Sequence, residues 1–170
     1  GDTLYFDATD GISGRELWAH NTSNSSTWQV ADIHSGSTGS DPGFYMEMLI
    51  GDTIYFSADD GYGIGNTELW AHDTSNASTW QVADIYSGSW SSYPGQYMSI
   101  LAGDTLYFSA NSASGHELWA HDTSNASTWQ VADIRAGSSR PGELMEMLVG
   151  DTLYFSAEDG ISGVELWAHD

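Results

Sequence analysis

The sequence predicts an all-β fold, a β-propeller or propeller-like array of four-stranded antiparallel blades, about 3.5 repeats of 47–52 residues. Three observations carry that reading. Gly-Asp-Thr recurs at Gly1, Gly51, Gly103 and Gly150, each time followed by Leu or Ile and then Tyr-Phe. Glu-Leu-Trp-Ala-His recurs from Glu16, Glu68, Glu117 and Glu165, and Thr-Trp-Gln-Val-Ala-Asp-Ile recurs from Thr27, Thr79 and Thr128. Between them lie segments of Gly, Asp, Asn and Ser, and no stretch holds a helical period over the roughly ten residues a helix needs. The chain, 1–170, reads as a single repeat domain with units starting near 1, 51, 103 and 150, the last incomplete.

Each element of a blade is justified in turn. Strand a is the Met/Leu segment that precedes each later Gly-Asp-Thr, as in Met145–Val149. Strand b is the Thr-Leu-Tyr-Phe-Ser run of Thr152–Ser156, joined to a by a two-residue Gly-Asp turn. Strand c is Glu165–His169, and strand d is typified by Thr128–Ile134; both are rich in aromatic and β-branched residues. The b–c loop carries Asp-Gly in three of four copies, and the c–d loop reads Asp-Thr-Ser-Asn-Ala-Ser. The d–a connection is longest, with Gly, Ser and Pro. Three tight hairpins and one long crossing are how a four-stranded blade hands over to the next.

Charge and composition narrow the function classes. The chain has 24 Asp+Glu against three basic residues, Arg15, Arg135 and Arg140, for a net charge of -21. Nucleic acid is excluded as a partner, because binding it needs Lys/Arg to displace counterions. Membrane insertion is not expected: no apolar run approaches a membrane span, and the charge argues against anionic lipid surfaces. Zero Cys excludes disulfides, thiol nucleophiles and thiolate metal sites. An acidic surface without Lys stays soluble in high salt, and it can also concentrate divalent cations. The chain opens on Gly1, as a mature or excised piece would.

The pattern Leu-Tyr-Phe-x-Ala-x-Asp-Gly, Gly-x-Glu-Leu-Trp, Val-x-Asp-Ile, Gly-Ser and Pro resembles the ELWxxDGT repeat family over nearly the whole chain. The resemblance implies propeller blades in large secreted or cell-surface proteins of marine prokaryotes, and it implies no reaction. After Glu-Leu-Trp this chain has Ala-His-Asn-Thr-Ser or Ala-His-Asp-Thr-Ser where the family has Asp-Gly-Thr. In order the strands read bcd, abcd, abcd, abc. That tally predicts a longer array, or neighbouring copies of the chain that supply strands along the open edges.

No enzyme activity is expected, and no catalytic residue is assigned. His20, His72, His121 and His169 are four copies of one position, which distributes identical groups instead of converging different ones. They read as structural groups between blades. His34 and His116 have no counterparts and no nucleophile–base pattern. Asp7, Asp10, Asp59, Asp60, Glu158 and Asp159 in the b–c loops read as hairpin turns or as a calcium site, calcium being the one cofactor considered. Asp32, Asp84 and Asp133 are expected to accept backbone N–H groups of the following crossing. Asn24, Asn76 and Asn125 are sequons at one repeat position, with Asn21 a fourth; they read as N-linked glycan sites on exposed loops or as Asx turns. The seven periodic tryptophans are expected in the core. Trp90, with Tyr86 and Tyr93, forms an aromatic cluster suited to stacking on sugar rings or to packing over a blade end. The function expected is a non-catalytic extracellular or cell-surface scaffold or fibre component. The alternatives are an adhesin or glycan-binding propeller, and a propeller segment of a larger secreted enzyme.

Overall fold

The computed structural model describes residues 1–62 and 65–170. They form four antiparallel sheets in chain order. Blade 1 holds β1 (Thr3–Thr9), β2 (Arg15–Asn21) and β3 (Ser26–Ala31). Blade 2 holds β4 (Glu47–Ile50), β5 (Thr53–Asp59), β6 (Thr67–Asp73) and β7 (Ser78–Ala83). Blade 3 holds β8 (Ser99–Ala102), β9 (Thr105–Ser112), β10 (Gly115–Asp122) and β11 (Ser127–Ala132). Blade 4 holds β12 (Glu146–Val149), β13 (Thr152–Glu158) and β14 (Val164–His169). Neighbours in sequence are neighbours in the sheet throughout, and the sheets stay open. The chain divides into two compact units, Gly1–Ser91 with blades 1 and 2, and Ser92–Asp170 with blades 3 and 4.

Local chemistry explains the hairpins. Ile50 pairs with Thr53, Ala102 with Thr105 and Val149 with Thr152, which leaves only Gly-Asp between the strands. Gly51, Gly103 and Gly150 have φ of 60°, 58° and 63°, the backbone a type II′ turn demands of its first central residue. At the same end of the blade, Thr74 donates its N–H and its hydroxyl to the carbonyl of Asp52, both at 2.8 Å. The c–d loop is thereby tied to the a–b turn, and Thr123 repeats the bond to Asp104.

Strand d is shorter than its sequence suggests, ending at Ala132 and not at Ile134. In each complete copy the ladder slips between Leu and Trp of the c strand: Leu118 faces Ala132, whereas Trp119 faces Gln130. The same bulge recurs at Leu17/Trp18 and Leu69/Trp70. It bends strand d away from the ladder, and the following Ile is then free to hydrogen-bond elsewhere.

Within each unit the first blade packs one face, its leading face, on the opposite, trailing face of the second. In the first unit, Leu17 on the leading face of blade 1 packs with Ile54, Phe56 and Ala58 on the trailing face of blade 2, joined by Tyr5, Val30, Ile33 and Trp70. In the second unit, Met98 and Leu118 of blade 3 pack in the same way with Leu153, Phe155 and Ala157 of blade 4. The strand-d tryptophans depart from the expected core position. Trp28, Trp80 and Trp129 are 40%, 39% and 40% exposed, because they lie on the outermost strand, with neighbours on one side only.

Candidate functional site

The polar interior is dominated by a group that sequence reasoning passed over. Glu16, Glu68 and Glu117 of the Glu-Leu-Trp motif are fully buried. Glu16 Oε2 accepts the Ile33 N–H at 2.8 Å and the Ser40 hydroxyl at 2.6 Å, while Oε1 accepts the Ser40 N–H at 3.1 Å and the His34 N–H at 3.3 Å. Glu117 repeats this with the Ile134 N–H at 2.9 Å, the Ser139 N–H at 3.1 Å and the Ser139 hydroxyl at 2.7 Å. Glu68 accepts the N–H groups of Ile85 and Tyr86. The carboxylate thus gathers the donors of the long crossing. Burial pushes Glu16 and Glu117 above the usual carboxylate range, and these donors pull back the other way. Asp32, Asp84 and Asp133, expected to serve the crossing, are exposed instead. A glutamate in the paired c strand can lie beneath the crossing, whereas the aspartate is carried outward by the bulge.

The repeated histidines also join their own blade. Nδ1 of His20, His72 and His121 lies 2.7, 2.9 and 2.8 Å from the hydroxyl of Thr27, Thr79 and Thr128 on the neighbouring d strand. Between blades, the His72 ring packs on Tyr5 at 5.2 Å, and His169 on Tyr107 at 5.4 Å. Burial lowers the pKa of His72 and His121. His116 is held down to about 4 by burial and then by the Arg140 charge, with Tyr93 and Tyr97 against its ring. These imidazoles are held against a threonine hydroxyl or a tyrosine ring and pack within and between the blades.

The acidic b–c loops are occupied by their own backbone. Asp10 Oδ1 accepts the N–H groups of Ile12 and Ser13, and Asp159 Oδ1 those of Ile161 and Ser162. Asp59 accepts the N–H groups of Gly61 and Asn66, and Asp60 that of Tyr62. Asp7 pairs with Arg15 at 2.7 Å, and Glu158 with Arg135 at 2.5 Å. Among the described residues no three His, Asp or Glu side chains converge as a metal would require.

The sequon loops share one end of each blade, and the Asx geometry is explicit there. Asn24, Asn76 and Asn125 each accept the N–H of the Ser two residues on, and Asn21 accepts that of Ser23. Nδ2 of Asn76 and Asn125 donates to Asp73 and Asp122, both at 2.7 Å. Ser25, Ala77 and Ala126 in the middle of the sequons have φ of 59°, 60° and 58°. The aromatic cluster of the crossing is divided. Tyr86 stacks on Trp90 at 6.1 Å and 25°, with Trp90 65% exposed. Tyr93 instead stacks on His116. A cavity of about 450 Å³ lies between blades 1 and 2, lined by Thr3, Leu4, Tyr5, Glu47, Leu49 and Ile54 among others.

No protein-family model and no curated protein matches the sequence. Solved structures do resemble the fold. TolB from Acinetobacter baumannii superposes with a TM-score of 0.56 at 11% identity, over 99% of this chain and 38% of that one. Puromycin hydrolase superposes with a TM-score of 0.60 at 13% identity, over 100% of this chain and 25% of the hydrolase. An extracellular domain from B. thetaiotaomicron gives 0.53 at 14% identity, over 100% of this chain and 20% of that one. The chain therefore spans well under half the length of each of these three proteins. At these identities the likeness carries the fold alone: the chain is similar to a run of β-propeller blades.

Proposed function

We propose that this chain is a non-catalytic structural segment of an extracellular or cell-surface protein, a run of propeller blades of the ELWxxDGT type acting as a scaffold or as part of a fibre. One observation supports the reading above others: most of the groups able to do chemistry are repeated, and their copies in blades 1 to 3 are engaged by their own blade. The glutamates hold crossings, the histidines bond threonines, and the loop aspartates close turns. A reacting centre needs different groups aimed at one atom. The test is an assay of the purified chain against peptide, ester and amide substrates. Turnover above background that disappears on substituting a single residue would sink the reading, including its rival as the propeller part of a larger hydrolase whose centre lies elsewhere.

A second reading is favoured by the Tyr86–Trp90 stack, which offers an exposed aromatic plane of the kind that binds sugar rings. On that reading the chain is an adhesin or glycan-binding module. Binding on a glycan array, lost by at least about tenfold in Trp90→Ala, would establish it. We also propose N-linked glycans at Asn24, Asn76 and Asn125 in material taken from its native surface, and at Asn21 last. Bare asparagines by intact mass would refute this. Calcium at the b–c loops is testable by titration: a rise in thermal stability reversed by chelator, and lost in Asp59→Asn/Asp60→Asn, is the result that would support it.

A further inference from the structure

One corner of the blade, where the crossing meets the b–c hairpin, is filled differently in blades 2, 3 and 4. Asp41, Tyr93 and Arg140 are equivalent there: two residues on, the N–H of Gly43, Gly95 or Gly142 donates to the carbonyl of Ser57, Ser109 or Ser156. The ladder pairs beside them are Asp59–Thr67, Asn111–His116 and Glu158–Val164. In blade 3 the corner is packed with rings. Tyr93 stacks on His116 at 6.4 Å and 15°, and Tyr97 meets the same imidazole edge-on at 5.1 Å and 69°. In blade 4 Arg140 brings a guanidinium, which pairs with Glu143, while Glu158 is held by Arg135. Blade 2 has neither filling. Asp41 and Thr67 stand where the two stacked rings would be, and a cavity of about 260 Å³ opens, lined among the described residues by Ser40, Asp41, Phe44, Tyr45, Asp59 and Thr67. All six belong to one compact unit. Tyr45 takes the place of Tyr97, and Phe44, 72% exposed, lies edge-on to it at 4.9 Å and 82°. The Asp59 side chain is only 21% exposed. Its Oδ1 accepts the N–H groups of Gly61 and Asn66, whereas its Oδ2 meets no donor among the described residues. His34 Nδ1 stays 3.9 Å from Oδ1, beyond hydrogen-bond reach.

We propose that this cavity of blade 2 binds a guanidinium group, the side chain of an arginine on a peptide or protein partner. The sibling corners identify the ligand. One is filled by flat rings and the other carries a guanidinium, so the group that completes the third is flat and cationic. A guanidinium is planar and weakly hydrated; it stacks on aromatic rings and donates two parallel N–H bonds to a carboxylate. Its plane lies against Tyr45 and Phe44, as His116 lies against Tyr97, and its N–H groups go to Asp59 Oδ2 and Asp41. None of the chain's three arginines competes for the place, since Arg15, Arg135 and Arg140 each pair with an acid elsewhere. The volume suits one side chain, being smaller than the ~300 Å³ at which pockets for whole small molecules begin. The site goes beyond the scaffold reading and does not depend on it.

The probe is N-acetyl-arginine amide, titrated into the isotope-labelled full chain and followed by NMR. About 0.15 M NaCl, with a Debye length of ~8 Å, screens the diffuse attraction of a chain carrying a net charge of -21. Saturable shifts should centre on the amides of Phe44, Tyr45 and Thr67, with a Kd on the order of 1 mM. Each variant installs what blade 3 already has at that place, so the fold is expected to hold. Asp59→Asn, after Asn111, should weaken binding about tenfold. Asp41→Tyr with Thr67→His refills the corner and should abolish it; the backbone accepts tyrosine there, because φ is 46° at Asp41 and 48° at Tyr93. If that double variant fails to fold, Phe44→Gln, after Gln96, should weaken binding about threefold or more. The neutral citrulline analogue of the probe should not bind. No saturable binding by the parent, equal binding of the citrulline analogue, unchanged binding in Asp59→Asn, or shifts spread over the acidic surface would each overturn the proposal. So would a neutral hexose that takes the corner in preference to the arginine probe. Catalytic turnover by a chain that still binds arginine here would overturn the scaffold reading alone.

Discussion

Glu117 and Glu165 occupy the same place in the same motif, yet one is fully buried and the other exposed. The pair separates the worth of the motif from the worth of its surroundings. Glu117→Ala removes the acceptor of the Ile134 N–H, which is left unmet, and one of the two acceptors of the Ser139 N–H and hydroxyl, which keep the His116 carbonyl. That should cost about 3 kcal/mol in urea denaturation. Glu165→Ala should leave the curve unmoved, and equal effects in the two variants would refute the clasp. A second residue-scale prediction concerns pH. His116 is held down to about 4, so the folded chain keeps it neutral while the unfolded chain protonates it below about 6.5. Its contribution is therefore complete above that value and is lost as pH falls from about 6.5 to about 4, at most about 3 kcal/mol. Glu117, whose pKa is raised, works with the opposite sign in the acid range: the folded chain takes up its proton first, so its share grows as pH falls. The clean measurement is the difference between the parent and His116→Phe. It should shrink between pH 7 and pH 4, and a constant difference would refute the assignment.

At the scale of elements, the crossing is where sequence and packing meet. Its x-Pro-Gly turn places Asp41, Tyr93 and Arg140 at φ of 46°, 48° and 49°, followed by Pro and a positive-φ Gly. A Cβ on Gly142 would overlap the buried Met98 side chain, whereas one on Gly137, in the same crossing, meets open space. Both glycines have positive φ, 84° and 107°. Gly137→Ala should cost about 1 kcal/mol from backbone strain, and Gly142→Ala about 2 kcal/mol more from the overlap. Thermal unfolding of the two variants checks the order, and equal costs would show that Met98 gives way freely. The b–c and c–d hairpins were legible in sequence because Asp-Gly and Asx turns are local chemistry. The bulge was not, since a one-residue slip leaves no mark on an alternating pattern.

For the molecule as a whole, charge is the quantity the fold does not neutralise. Among the described residues, Arg15, Arg135 and Arg140 each pair with an acid, and the excess of carboxylates is left to repel. Thermal stability should therefore rise as NaCl increases from about 0.01 M to about 0.5 M, over which the Debye length falls from ~30 Å to a few ångströms. A melting temperature that stays flat or falls would contradict it. By itself the sequence determined the all-β class, the count and order of strands in each blade and the positions of the hairpins. Those follow from turn chemistry and from the repetition of whole segments. Only the tertiary structure decided which repeated residue carries the crossing, which tryptophans lie outside, and that the aromatic cluster divides between Trp90 and His116. These depend on which face of a bulged strand meets a neighbour. Residues with identical local sequence, such as Glu117 and Glu165 or Leu118 and Leu166, differ only in what is packed against them.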